Sequence, residues 1–319
     1  MQLTAALLRM SILAMEPGTW VGRVLKLVRG TALAAAVLVT GCGARTGLPH
    51  GQRAGDAGVD ASADVDVPDV VRVNCEEAGV TYIYLISEEN KLMRFYPPSK
   101  SFDSIGNIAC PAPQGFTPFS MAVDRRGIAY VVFEDGELFR VSTLTASCER
   151  TAFAAGQQGF SFTFGMGFSS NTTDQGETLF VAGGDVARSL AIIDPQTFAL
   201  RVVGPVFPAV ERLELTGTGD GRLFGFSSPQ PGIPQAHLIE IEKSTAEVLS
   251  DVSLDIGATD SMAFAFAFWG GDFYFFTSVA AGRSRVHRYS PELSTKPDLI
   301  AEIDVTIVGA GVSTCAPAR

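Results

Sequence analysis

Residues 127–145, GIAYVVFEDGELFRVSTLT, recur in recognisable form four more times along the chain, and a sequence with that periodicity has few ways to fold. Within the stretch, Ile128, Tyr130 and Val132 alternate with Ala129, Val131 and Phe133. A β-branched and aromatic run that is apolar on both faces suits a strand covered from both sides. Glu134, Asp135 and Gly136 then form a turn, because glycine tolerates positive φ and aspartate bonds its own backbone. A second strand reads over 138–141, a polar turn over 143–145, and a third strand near 150–153.

The first strand returns as TYIYL from Thr81, ETLFV from Glu177, GRLFG from Gly221 and GDFYF from Gly271. Its aromatic anchors, Tyr84, Tyr130, Phe180, Phe224 and Tyr274, are 46, 50, 44 and 50 residues apart. The second strand returns at 92–95, 190–193, 238–241 and 286–289, with polar turns clearest at 194–197 and 242–245. A further apolar run precedes each first strand except the earliest, at 119–123, 162–168, 213–216 and 263–268. The end of the chain holds a spare at 306–311. Four strands per unit of ~40–50 residues is the pattern of a β-propeller. The expected fold is therefore all-β, with five four-stranded blades and the spare C-terminal strand completing the first blade; six blades is the alternative. Closing the ring removes exposed sheet edges.

The G-x-[LF]-[YF] strand, followed by an L-x-x-[IV]-[DE]-x-x-T strand and turn, resembles bacterial extracytoplasmic propeller repeats of the YVTN and NHL-like kind over roughly residues 80–312. The resemblance is to an architecture and names no enzyme. Tryptophan-aspartate blade ends are missing, and with only Trp20 and Trp269 the tryptophan motif of quinoprotein propellers is missing too.

Ahead of the repeats, Arg23, Lys26 and Arg29 precede a short apolar run, TALAAAVLVT at 31–40, that ends in Val39-Thr40-Gly41-Cys42. The run is too short for a membrane-spanning helix, which needs ~20 residues. It resembles a bacterial lipobox, with Val39 where leucine is usual. That resemblance implies a signal peptide over 1–41, cleavage before Cys42 and lipidation of Cys42. Gly43 in place of aspartate favours the outer membrane by the usual sorting rule. The expected location is the bacterial cell envelope, periplasmic or surface-facing, with the lipid bilayer as one partner. Arg9 and Glu16 interrupt residues 1–20 as a signal, so translation is expected to start downstream, at Met15 or near Val21 or Val24. Residues 42–74 read as a tether. Asp56, Asp60, Asp64, Asp66 and Asp69 repel one another, and a segment so poor in large apolar residues has no core to offset its ordering entropy. The propeller domain is then 75–319.

Before Gly41 there are four basic residues and one acidic; the remainder carries 20 Lys+Arg against 33 Asp+Glu, a net charge of −13. That balance argues against a nucleic-acid partner, which needs cations to replace phosphate counterions.

After Cys42 four cysteines remain, enough for two disulfides in an exported chain. The blade order selects Cys75–Cys315, where the two ends of the ring meet, and Cys110–Cys148, between the outer strands of blades 1 and 2. The chain-entropy model assigns them roughly 5 and roughly 4 kcal/mol.

Chemistry is less legible. His50 falls in the tether, and His237 and His287 read as surface or packing residues in second strands. No zinc-spaced pair, nucleophile elbow or phosphate loop occurs. No catalytic residue, metal or cofactor is expected. Propeller ligands usually sit over the central channel, on loops that enter the innermost strands and on loops between the next two. Those loops hold Phe116, Phe160, Phe207 and Asp260, and Asp185, Arg188, Arg283 and Arg285 respectively, and these are the candidate ligand-binding residues. The favoured reading is a binding or interaction module for a protein, glycan or small ligand. The alternative is a propeller hydrolase or lactonase with a central metal, for which Asp124, Glu211 and Glu214 are the available inward carboxylates.

Overall fold

The computed structural model describes residues 82–183, 188–229, 233–257 and 261–318. They form five antiparallel four-stranded sheets. Blade 1 contains β1 (Ile83–Ser87), β2 (Lys91–Tyr96) and β3 (Ser101–Asn107). Blade 2 is β4 (Pro118–Val123), β5 (Ile128–Phe133), β6 (Leu138–Ser142) and β7 (Cys148–Arg150). Blade 3 is β8 (Phe164–Ser170), β9 (Glu177–Gly183), β10 (Ser189–Ile193) and β11 (Leu200–Pro205). Blade 4 is β12 (Glu214–Gly217), β13 (Leu223–Ser227), β14 (Ala236–Ile241) and β15 (Val248–Leu254). Blade 5 is β16 (Ala263–Trp269), β17 (Asp272–Ala280), β18 (Arg283–Tyr289) and β19 (Asp298–Ile303). The last strand, β20 (Ile307–Gly311), pairs with β1 and becomes the innermost strand of blade 1. The ring thus has five blades, not six, and closes as the spare C-terminal strand implied.

The first strand of the sequence repeat is the second strand of each blade, counted from the axis, and its aromatic anchors Tyr84, Tyr130, Phe180, Phe224 and Tyr274 are all buried. That strand is apolar on both faces because a neighbouring blade covers each. Tyr130 and Val132 of β5 join Phe164 and Phe168 of blade 3, whereas Ala129, Val131 and Phe133 join Tyr84 and Ile86 of blade 1. Outer strands have solvent on one side and a weaker pattern. The outer strand of blade 2 is Cys148–Arg150, earlier than its apolar residues suggest, because Phe153 has left the sheet to pack edge-on against Phe164 at 5.9 Å.

The innermost strands pack in the cycle β20, β4, β8, β12, β16 and back to β20. Some of these backbones touch directly. A Cβ on Gly165 would lie 2.0 Å from the Leu213 carbonyl oxygen, and one on Gly217 would lie 2.2 Å from that of Phe168. β8 and β12 therefore approach as closely as they do only because neither position carries a side chain.

Cys110 and Cys148 are bonded, with Cα atoms 5.0 Å apart, and join the chain leaving blade 1 to the outer strand of blade 2. Cys315 is disulfide-bonded as well. Its expected partner, Cys75, lies outside the described residues, as do Cys42, the signal segment and the tether.

Candidate functional site

Every innermost strand starts at the same end of the ring, and every second strand ends there. The loops at this end surround a cavity of about 370 Å³. That size falls within the range of small-molecule sites, about 300–1,000 Å³. Its walls are largely apolar, with Phe119, Phe164, Leu213, Phe264 and Val308 among them, and Met262 stands exposed at the rim. Its charged groups are Glu88 and Glu134, from the turns after β1 and β5, and Arg212 and Glu214, at the start of β12.

Glu214 forms the floor. It is buried, and the Ser120 hydroxyl of β4 donates to its Oε2 at 2.6 Å. The Met166 backbone amide of β8 also bonds it. One carboxyl thus ties blades 2, 3 and 4 across the axis of the ring. Desolvation pushes its pKa well above the usual carboxylate value, against the opposing pull of Ser120, Met166 and the Arg212 charge. Arg212 adopts a left-handed backbone, φ 50°, which places its guanidinium over the Phe264 ring at 5.1 Å. Among the described residues it makes no ion pair. Glu134 accepts a 3.3 Å bond from the Thr117 amide and remains exposed, as does Glu88.

At the opposite end of the ring Arg125 links blades 1, 2 and 3. The Arg125 amide donates to Glu177 Oε1 at 2.7 Å, its Nε to Thr314 Oγ1 at 2.7 Å and its Nη2 to Ser170 Oγ at 2.5 Å. Thr314 in turn donates to Glu177 Oε2 at 2.8 Å. A second cavity, about 510 Å³, lies on that face between blades 4 and 5. Its lining carries Asp220, Glu240, Asp272 and Glu292 against a single cation, Arg222, which holds Glu240 through bonds of 2.8 and 2.7 Å; Asp272 is held from outside the cavity by Arg288 at 2.9 Å. The mouth, with an uncommitted guanidinium, is the better candidate.

The residues singled out from the sequence are distributed unevenly around the mouth. Phe116 is exposed near the mouth but does not line the cavity; Phe207, also exposed, does not line it either and pairs its backbone with Ala246, Glu247 and Val248 at the turn after β14. Phe160 is only 3% exposed and packs into the core shared by blades 2 and 3, 6.0 Å from Phe164. Arg188 pairs with Glu211. Arg283 pairs with Glu302 and Asp304, and Arg285 with Glu302, which draws both toward the outer strand rather than to the axis. Asp185 and Asp260 lie outside the described residues. Of the carboxylates weighed for a central metal, Glu214 alone lines the cavity; Asp124 caps its own turn through the amides of Arg126 and Ile128. Among the described residues no group of three or more His, Cys, Asp or Glu side chains is arranged to hold a metal. His237 bonds Asp251 at the surface, and His287 is buried in its sheet. Glu88, Glu134 and Arg212 were not singled out; registering the start of each innermost strand would have placed them at one end.

The fold defines a five-bladed β-propeller with an apolar cavity at one end of the ring. No family model matches the chain, and no curated protein matches it. Among solved structures it is similar to a luciferin-regenerating enzyme, at 11% identity and a TM-score of 0.43, covering 72% of this chain and 93% of that one. It is similar also to hydrazine synthase of Kuenenia stuttgartiensis, at 11% identity and 0.38, covering 65% and 62%. A third likeness, to a chain of the mitotic checkpoint complex, has 10% identity and 0.39, covering 73% and 80%. At these TM-scores neither ligand nor activity is transferred.

Proposed function

We propose that this chain is an extracytoplasmic propeller lipoprotein of a bacterial envelope that works as a binding module, with its ligand at the mouth of the ring. The observation that carries the reading is the cup itself: apolar walls, a buried carboxyl as floor and an unpaired guanidinium at the rim. The anchor rests on the basic, apolar and Val39-Thr40-Gly41-Cys42 order, with Cys42 as the lipidated residue and the outer membrane as its place. Cys75 as the partner of Cys315 belongs to the same reading.

β1 begins beside Gly311 and ends beside Ile307, so the chain enters the ring at the face away from the mouth.

The test is a thermal-shift screen of the full chain in detergent against sugars, amino acids, short peptides, lactones and divalent cations. A ligand of the folded state raises Tm by mass action. Ala281 is exposed and lines the cavity, so Ala281→Trp obstructs the cup without touching the core. Shifts that disappear in this variant support the reading. Shifts that persist in it place binding elsewhere and sink it.

A further inference from the structure

The charges of the mouth are separated in space. The cycle of innermost strands places blade 4 between blades 3 and 5, and so across the ring from blades 1 and 2. Arg212 comes from blade 4, Glu88 from blade 1 and Glu134 from blade 2, and all three line one cavity. The cup therefore has a positive side facing a negative side, with apolar walls between them. Glu214 lies apart from the rim charges, buried and committed to the Ser120 hydroxyl and the Met166 amide. Nor is Arg212 neutralised by Glu88 or Glu134, because neither lies within ion-pair distance of it.

We propose that the mouth recognises a zwitterion with an apolar body, the size of one or two amino acids, its carboxylate on Arg212 and its ammonium between Glu88 and Glu134. The inference rests on the mouth being the binding site. A planar guanidinium matches a carboxylate with paired hydrogen bonds. Two carboxylates suit the several donors of an ammonium group. Phe119, Phe164 and Phe264 cover the apolar body. A ligand with charge at one end only would leave the opposite wall desolvated and unmatched, which is how a polar site rejects an analogue lacking one group.

The experiment titrates the full chain at pH 7 and low salt with L-phenylalanine, with the dipeptide Leu-Phe, and with that dipeptide N-acetylated, C-amidated or blocked at both ends. Binding of the free dipeptide, weakened roughly tenfold or more by blocking either end, supports the proposal. Comparing L-phenylalanine with the dipeptide separates a free amino acid from a peptide as the source of the chemistry. Arg212→Met should erase the distinction between free acid and amide while keeping that between amine and acetyl. Glu88→Gln with Glu134→Gln should do the reverse. Equal binding of all four dipeptide forms, lost in Ala281→Trp, overturns the zwitterion and leaves the mouth as the site. Equal binding that survives Ala281→Trp overturns both. No binding of any probe overturns the zwitterion, and the wider screen then decides the site.

Discussion

Glu214 places a titratable carboxyl where water hardly reaches, and the consequence is a pH dependence with a definite sign. Its pKa in the folded chain lies above the ordinary 4.5, with desolvation as the leading cause. Between 4.5 and that raised value the folded state binds a proton that the unfolded state has released. Its contribution to stability is therefore complete below about pH 4.5 and is lost as pH climbs through the window. Glu214→Gln keeps an oxygen for the Ser120 hydroxyl and has no proton to lose. We expect its Tm to match the parent near pH 4.5 and to exceed it by on the order of 3 °C at pH 8, measured by calorimetry. A difference that is flat across that range would mean Glu214 is ionised in the folded state. His287 works in the other direction. Burial, and after it the Arg285 charge, depress its pKa, and its Nδ1 has no hydrogen-bond partner among the described residues. Stability attached to its neutral form is full above about 6.5 and falls as the solution is acidified below it.

Among the elements, legibility follows coverage. Second strands were readable because both faces are buried, so β5 and its counterparts carry two apolar alternations and one aromatic anchor each. Innermost strands were readable as apolar runs, although their glycines gave no hint of what they do. Outer strands, polar on one side, were placed only approximately, as β7 shows. The loops were harder still. Phe160 and Phe116 both follow a glycine at the same end of the ring, yet one is buried and the other exposed; the difference is made by packing between blades 2 and 3, which no local pattern encodes. The close approach of β8 and β12 gives the prediction at this scale. Gly165→Ala forces a methyl into the Leu213 carbonyl and should destabilise by about 1–3 kcal/mol or more in urea unfolding, because backbone cannot step aside as a side chain can. Gly204→Ala is the control, since a Cβ there would lie 3.4 Å from the Thr245 carbonyl oxygen, against 2.0 Å at Gly165. Equal losses at both positions would attribute the effect to glycine in a strand rather than to strand contact.

For the whole molecule the decisive element is β20, which is last in the chain and innermost in blade 1. Without it, β1 would present an unpaired edge along the channel, β4 and β16 would each lose the neighbour that closes the cycle, and the Thr314 contact with Arg125 and Glu177 would go too. A strand edge exposed in this way invites pairing with another chain. Strand and covalent clamp can be separated by experiment. Removing residues 305–319 deletes β20 together with Cys315, whereas Cys315→Ser keeps the strand and removes only the bond. With Cys75 as the proposed partner of Cys315, the clamp would supply by loop entropy at most roughly 5 kcal/mol, so the serine variant should still unfold in one cooperative urea transition, at a lower midpoint. The truncated chain should lose that transition and self-associate. A synthetic peptide of residues 304–319 should restore it by strand addition, as a missing strand can be supplied from another molecule. If Cys315→Ser behaves as the truncation does, the disulfide closes the ring and β20 merely fills a vacant seat. If the truncated chain keeps the parent midpoint, four blades and a three-stranded remnant already hold the fold, and closure serves the shape of the mouth rather than stability.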